Sequence, residues 1–551
     1  MRVALLSSPS IAIALALVLV VQAKAQQAAP RIESIRAEHL RADLFFLAGD
    51  PLRGRLTNTA ENAIAAEWIK ARFERLGLVS GVPDGSYFQR YNLMTAALAD
   101  GNRLAASVGS GVTLQPQAGQ AFYPQRFSAN ASVSGPLVFA GFGITSPGLG
   151  YDDYGGTQVS GSVVLVLAHE PGETDPDSPF DGVVSAQAAG LLEKTLAAQA
   201  RGAVGILFVS DVHNHAADGN FEQEARNFWP AEAPRIERYT LSTWADRVSI
   251  PAMQISPALA AQLIAGTGKT LVELGRAAET ARGATPIAVP NTKIELAAAV
   301  VQHVIPDRNV VALIAGADPR LKDEWVIVSA HIDHEGADQV GVFNGADDDG
   351  SGIVALLEIA EAYALAAEDG QRPRRSVLLA AWNSEERGLL GAWAYTERPL
   401  HPLTQTAAVL NMDMVGRNEE VPIGGSARFR GLDVQTAESN ANATNVLGYS
   451  RAPELWSAVQ RANQGIDLEL KPRYDNNVSN LLRRSDHWPF LQRGVPAVWF
   501  HTGLHPDYHT QFDRPEKINY AKMERIARLV YQTSWDLATQ DGRPRMAVSD
   551  R

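Results

Sequence analysis

The residues able to do chemistry in this sequence are acids and histidines, and they fall in clusters. His331, Asp333 and His334 follow the apolar run 325–330, and Glu385-Glu386 follow the run 376–381. Asp413 follows 407–410, while His501 follows 496–500, with His505 and His509 a few residues on. Each cluster lies just past the carboxyl end of an apolar run. In open α/β sheets that edge is where ligands bind. Between the first two runs lies Gly345-Ala346-Asp347-Asp348-Asp349-Gly350-Ser351-Gly352. Three adjacent carboxylates repel one another. A solvated turn tolerates them, and Gly-flanked Asp is common in turns, whereas a cation would turn the repulsion into attraction. The acids are adjacent rather than alternating, and the terminal Glu is missing, so this is not an EF-hand loop. Imidazole nitrogen and carboxylate oxygen suit a borderline divalent ion such as zinc. Adjacent residues at a strand end point in different directions. One carboxylate of Glu385-Glu386 can therefore bind metal while the other faces a water, which gives hydrolysis a Lewis acid and a general base. A solvated acidic pair in a loop is the alternative for that dipeptide taken alone.

The chain has 551 residues and no cysteine. Thiol nucleophiles, disulfides, iron–sulfur clusters and cysteine-type zinc sites are excluded, so any metal must be held by His, Asp and Glu. The formal charge of −12 argues against a nucleic-acid partner. Apolar residues at 46% and charged residues at 20% match an ordinary globular protein, and the length predicts two or more domains. At the amino terminus, Arg2, the unbroken apolar run 11–21 and Ala23-Lys24-Ala25 have the form of a cleavable signal peptide over 1–25. The run is shorter than the roughly 20 residues of a membrane span. Export to the periplasm or the medium is expected, with cleavage after Ala25 and no stable membrane insertion afterwards.

The elements that must position the clusters follow from periodicity. Apolar residues recur at helical spacing over 60–69 and on through Phe73, Leu76 and Leu78. Short β-like runs at 136–140, 162–167, 203–209 and 250–255 lie among Gly, Pro and Ser, with a helical stretch near 185–200. They predict a separate β-rich domain over 128–282, which contains His213 and His215 but no dense cluster of potential ligands. From residue 291 onward, apolar strands at 310–314, 325–330, 376–381, 407–410 and 496–500 alternate with helical patterns such as 352–366, and 523–538 follows the last of them. Near-continuous apolar strands are those covered on both faces, so the expected fold is α/β, with a mixed, largely parallel sheet flanked by helices.

The motifs in order are Ser329-Ala330-His331-Ile332-Asp333-His334, the Gly345–Gly352 loop, Asn383-Ser384-Glu385-Glu386-Arg387-Gly388-Leu389-Leu390-Gly391, Asn411-Met412-Asp413-Met414-Val415-Gly416, Ser485-Asp486-His487-Trp488-Pro489-Phe490 and Tyr508-His509-Thr510. As a set they resemble the M28 family of zinc peptidases, over about 309–518. The segment 35–91 resembles that family's leading helices. The β-rich region resembles a protease-associated domain inserted into the peptidase domain, on Tyr151-Asp152-Asp153-Tyr154, 163–167 and Gly202-Ala203-Val204-Gly205. The implied organisation is a peptidase domain over 31–127 and 283–545, interrupted by the insert.

The resemblance implies two zinc ions per chain. It puts His331, Asp348 and Asp413 on one ion and Glu386, Asp348 and His509 on the other, with Asp348 bridging. Asp333 is implied as the orienting partner of His331, Glu385 as the general base, and Tyr508 as an oxyanion stabiliser. His334, His501 and His505 are expected near the site without completing it, and His487 in a local hydrogen bond. The implied activity is peptide-bond hydrolysis by a metal-activated water, on peptide or protein substrates, most of all as an aminopeptidase. Carboxypeptidase-like members and single-zinc glutaminyl cyclases share the motifs, and a catalytically inactive binding or scaffold relative is the reading from another class. The stretch 418–485 is expected to be a rim, a lid or surface elaboration.

Overall fold

The computed structural model describes residues 27–215 and 219–547; the expected signal peptide and its cleavage site lie outside them. Among the described residues the chain folds around two large sheets, beside a two-stranded ribbon of Thr145–Ser146 and Tyr151–Asp152. The first has ten strands, and four of them make its parallel centre: Ser376–Trp382, Trp325–His331, Thr406–Met412 and Ala497–His501. All four are buried along their whole length, as their apolar sequences require. Antiparallel strands flank them, Val300–Ile314 on one side and Ala443–Leu447 on the other. The sheet is mixed with a parallel core, as expected.

Helices Ala37–Leu47, Ala60–Arg75, Gly352–Glu368, Pro453–Ala462 and Tyr520–Thr539 pack on one face of this sheet. Leu390–Glu397 and His487–Gln492 pack on the other. Gly352–Glu368 is apolar on nearly every side because it lies between the sheet and its neighbouring helices. Thr59 caps Ala60–Arg75 by accepting from the Asn62 amide. The helix ends earlier than the apolar periodicity to Leu78 suggests, and Gly77 follows with φ 67°.

The second sheet has eight strands, with Val163–Leu167 parallel to Ala131–Phe139 and to Gly205–Val209, and Ala252–Ile255 next in line. Its extent differs from the expected 128–282. Ile287–Ala298 pairs with both Arg103–Val108 and Ala131–Phe139. The flanking strands assigned from sequence to the peptidase part therefore complete this sheet. Conversely, Thr240–Leu241 pairs back onto Phe88–Leu98 at the edge of the first sheet. The two sheets are joined by an antiparallel ribbon of Phe88–Leu98 and Val300–Ile314, in register from Leu98 opposite Val300 to Phe88 opposite Val310.

The stretch 418–485 is more than surface elaboration. It supplies Ala443–Leu447, Pro453–Ala462 and Glu469–Lys471 to the first sheet and its helical layer. Leu357, fully buried in the central helix, measures how far the layers depend on packing. Leu357→Ala should cost about 2–5 kcal/mol, read in urea as a lower midpoint with an unchanged slope.

Candidate metal centre and active site

Every candidate ligand sits at the carboxyl edge of the parallel strands. His331 ends Trp325–His331, Glu385 and Glu386 follow Ser376–Trp382, and Asp413 follows Thr406–Met412. His509 lies in the loop after Ala497–His501. The triple aspartate divides its labour. Asp347 accepts from the Gly416 amide at 2.6 Å, and its own amide donates to the Asp513 carboxylate. Asp349 accepts from the His331 amide at 3.0 Å, the Gly352 amide at 2.9 Å and the Met414 amide at 3.2 Å. These outer acids tie the loop to its neighbours and start the central helix, where exposed amides favour a carboxylate. Gly352 must be glycine, since a Cβ there would lie 2.5 Å from either Asp349 oxygen. Asp348 alone is left to face the site.

Its two oxygens point to two sets of donors. Asp348 Oδ1 lies 3.2 Å from His331 Nε2, which is also 3.7 Å from Asp413 Oδ1. Asp348 Oδ2 lies 3.0 Å from His509 Nε2, which is 3.2 Å from Glu386 Oε2. His331, Glu385 and Asp413 converge as one group, and His334, Asp348, Glu386 and His509 as another. Burial favours a neutral Asp348, yet the imidazoles of His331 and His509 beside its two oxygens hold its carboxyl well below the usual range. Burial opposes charge on His331, but Glu385 and Asp413 draw its imidazole well above the ordinary value. The same contest, with Glu386 and Asp348 as the anions, raises His509.

The residues fit divalent metal. His331 Nε2 and His509 Nε2 are buried, have no hydrogen-bond partner, and face carboxylate oxygens. Convergent imidazole nitrogens and carboxylate oxygens are the donor set of zinc sites without cysteine.

Two roles differ from expectation. The His331 ring is oriented by the Asp333 backbone carbonyl, 3.1 Å from Nδ1, while the nearer carboxylate oxygen is 3.9 Å away. The Asp333 carboxylate instead accepts from the Glu385 amide at 2.9 Å and the Thr57 hydroxyl at 3.1 Å. It positions the backbone of Glu385, because the tight strand end brings that amide closer than the ring. His334 joins the second group directly, with Nδ1 2.7 Å from Glu386 Oε1. Asn383, fixed by Asp307 and Asn62, supports the same turn.

Glu385 faces the cleft with Oε2 3.8 Å from His331 Nε2. Burial pushes its carboxyl well above the usual range, and Asp413, Asp486 and Glu386 add to the rise. Tyr508 lines the same cleft, its ring centroid 3.9 Å from that of His509. Its backbone carbonyl accepts from Arg428. Arg484 also lines the cleft, whereas Arg483 turns away to the Ser185 carbonyl. His501 Nδ1 donates to the Asp413 carbonyl at 3.1 Å, and His505 lies 3.3 Å from Asp347. His487 is buried against Trp499 outside both groups, and burial pushes its pKa down to about 3.

Sequence reasoning missed Arg55. It is fully buried and donates to the carbonyls of Leu47, Ile332, Asn344 and Gly345. Burial lowers its pKa, and Asp349, Asp348, Asp513 and Asp333 pull it back up. A lone arginine in a turn-rich link carries no sequence signal of this role. The adjacent Gly54 has φ 68°, and a Cβ on it would meet the Phe343 carbonyl at 2.2 Å, which marks a tight approach to the site.

Residues 309–534 match the model of Peptidase family M28. All five candidate ligands and Glu385 lie within it. Among curated proteins, the Arabidopsis thaliana protein named "Probable glutamate carboxypeptidase AMP1" is 33% identical over 210 residues, 37% of this chain and 26% of that protein. A "Probable zinc metalloprotease" of Leptosphaeria maculans is 28% identical over 268 residues, 44% of this chain and 60% of that protein. The chain spans less than two thirds of the length of either relative. Among solved structures, the aminopeptidase from Aneurinibacillus sp. strain AM-1 aligns with a TM-score of 0.48 at 18% identity, covering 94% of this chain and 98% of that one. The zinc aminopeptidase BSAP from Bacillus subtilis aligns with a TM-score of 0.41 at 17% identity, covering 92% and 96%.

Two substitutions test the site's construction. Arg55→Leu leaves four carbonyls without their donor and buried carboxylates without their counter-charge, and should cost about 3–5 kcal/mol in chemical denaturation. Asp348→Ala should leave the fold intact and sharply reduce the zinc retained through gel filtration, measured by elemental analysis.

Proposed function

We propose that the chain is an exported zinc peptidase that binds two ions and releases amino-terminal residues from peptides. The observation that carries this reading is the Asp348 carboxylate, which offers one oxygen to each of two imidazole-containing groups while Glu385 stands free beside the first. His331, Asp348 and Asp413 would hold one ion, and Glu386, Asp348 and His509 the other. His334 would fix the Glu386 carboxylate through its 2.7 Å contact. When bound, the ions supply Lewis-acid polarisation of the scissile carbonyl and a nucleophilic water.

The remaining work belongs to side chains. Glu385 takes the proton of the attacking water on its carboxylate and returns it to the departing amine. Asp333 keeps Glu385 in place by holding its amide. The Tyr508 hydroxyl is available to the developing oxyanion, and burial, with the Asp348 and Glu386 charges, keeps it protonated by raising its pKa. The cleft is lined by Asp348, Glu385, Glu386 and Asp413, a surface that attracts a free peptide amine.

Arg484 supports a second reading. Its guanidinium lines the same cleft and could receive a substrate carboxylate, as a carboxypeptidase needs. A panel of peptides with free or blocked termini separates the two. Blocking the amine should abolish turnover, whereas loss only on blocking the carboxylate would favour the second reading. Glu385→Gln should lower kcat by at least a thousandfold with zinc content unchanged; near-normal turnover in that variant would refute the general-base role.

A further inference from the structure

A second gathering of metal-binding side chains lies in the eight-stranded sheet, at the carboxyl ends of two neighbouring parallel strands. His169 follows Val163–Leu167 by two residues, and Asp211 follows Gly205–Val209 by two. Glu173 and His215 each come four residues further along. His169 Nδ1 lies 2.7 Å from Asp211 Oδ1 and 3.6 Å from Glu173 Oε2. His215 Nε2 lies 2.6 Å from Glu173 Oε1 and 3.8 Å from Asp211 Oδ2. One ligand atom from each of the four lies within 4.8 Å of all the others. The sequence expectation that this region has no dense ligand cluster is corrected here, because the sheet brings together two pairs about forty residues apart.

Surface histidine–carboxylate pairs occur without metal, so a separate observation decides. The Asp211 side chain is fully buried, yet its Oδ2 has no hydrogen-bond partner. It is turned toward His215, across the centre of the group. A buried carboxylate oxygen without a partner is costly, and a cation at the centre would satisfy it. Ligand atoms about 2.0–2.1 Å from a tetrahedral zinc ion lie about 3.3 Å apart. The four separations given above, which use both oxygens of each carboxylate, run from 2.6 to 3.8 Å around that value. Two neutral imidazoles and two carboxylates balance a divalent charge, and the buried Lys194 amine beside them is turned to the Leu167 and His169 carbonyls. The two histidines are about half exposed, which leaves a route from solvent.

We infer that His169, Glu173, Asp211 and His215 form a zinc-class divalent-cation site that braces the loop leading to the contact between the two sheets. The loop after Glu173 reaches the peptidase domain directly. The Pro176 carbonyl accepts from Asn476, the Val183 and Ser185 amides donate to Asn476 and Asn480, and Asp181 pairs with Arg451 at 3.0 Å. Asn480 is next to Leu481, which lines the catalytic cleft. The assignment uses none of the residues of the proposed peptidase site, and the two can fail separately.

The test uses the full chain. A His331→Ala/Asp348→Ala/His509→Ala variant, with donors removed from both peptidase groups, is titrated with Zn2+ alone. It should still bind one ion per chain, and adding His169→Ala/His215→Ala should weaken that binding at least a hundredfold. The isosteric Asp211→Asn should weaken it with an unchanged circular dichroism spectrum, which separates ligand loss from unfolding. In the otherwise native chain, His169→Ala/His215→Ala should carry one zinc fewer by elemental analysis. Zinc should slow hydrogen exchange over residues 168–185 in the native chain and not in that variant. Equal zinc binding with and without His169 and His215, or equal exchange over 168–185, would overturn the inference.

Discussion

The carboxylate of Asp348 has one oxygen for each of two imidazoles, and the loop that presents it must keep two more aspartates inside the protein. Three like charges in a row are stable there only if each looks in a different direction at a different donor. Asp347 turns to Gly416, Asp349 to the amides of His331, Gly352 and Met414, and Asp348 to the histidines. Arg55 lies behind the loop with its guanidinium spread over four carbonyls, one positive charge serving several acids at once. The parallel strands, the central helix and the amino-terminal turn all meet at this point. The fold is in this sense an apparatus for dividing negative charge.

What could be read from the sequence, and what could not, follows from that geometry. His331, Glu385, Glu386 and Asp413 were legible because each abuts an apolar run, and a strand's end fixes where the next side chain can point. The triple aspartate stood out because three adjacent carboxylates call for a counter-charge, while the choice of Asp348 within it came from the family resemblance alone. Arg55 was not legible, since its role depends on burial by segments nearly three hundred residues away. The carboxylate of Asp333 was assigned to the wrong neighbour because sequence gives adjacency and not direction. His334 was underweighted for the same reason, as only the folded loop brings it to Glu386.

The second sheet teaches a related lesson. Its central strands are continuous apolar runs, visible without structure, but Arg103–Val108 and Ile287–Ala298 alternate and look like edge material of either domain. Their partners alone decide their membership. The His169 and Asp211 groups were missed because each pair is too small to stand out. Two histidine–acid pairs at four-residue spacing, each two residues past a parallel strand, are nevertheless a pattern that strand order makes meaningful.

The ribbon that links the two sheets brackets the stretch between its two strands, which touches the first sheet again at Thr240–Leu241. The chain leaves at Leu98 and returns at Val300, residues that already face each other across the ribbon. A two-residue hairpin joining them would close the strand pair without displacing any strand of the parallel core. The second sheet is held to the rest by this ribbon, the short strand Thr240–Leu241, the docking loop around Asp181, Arg235 against Glu335 and Trp244 against Glu397. A lineage could lengthen, exchange or delete it while the charge-dividing loop stayed untouched.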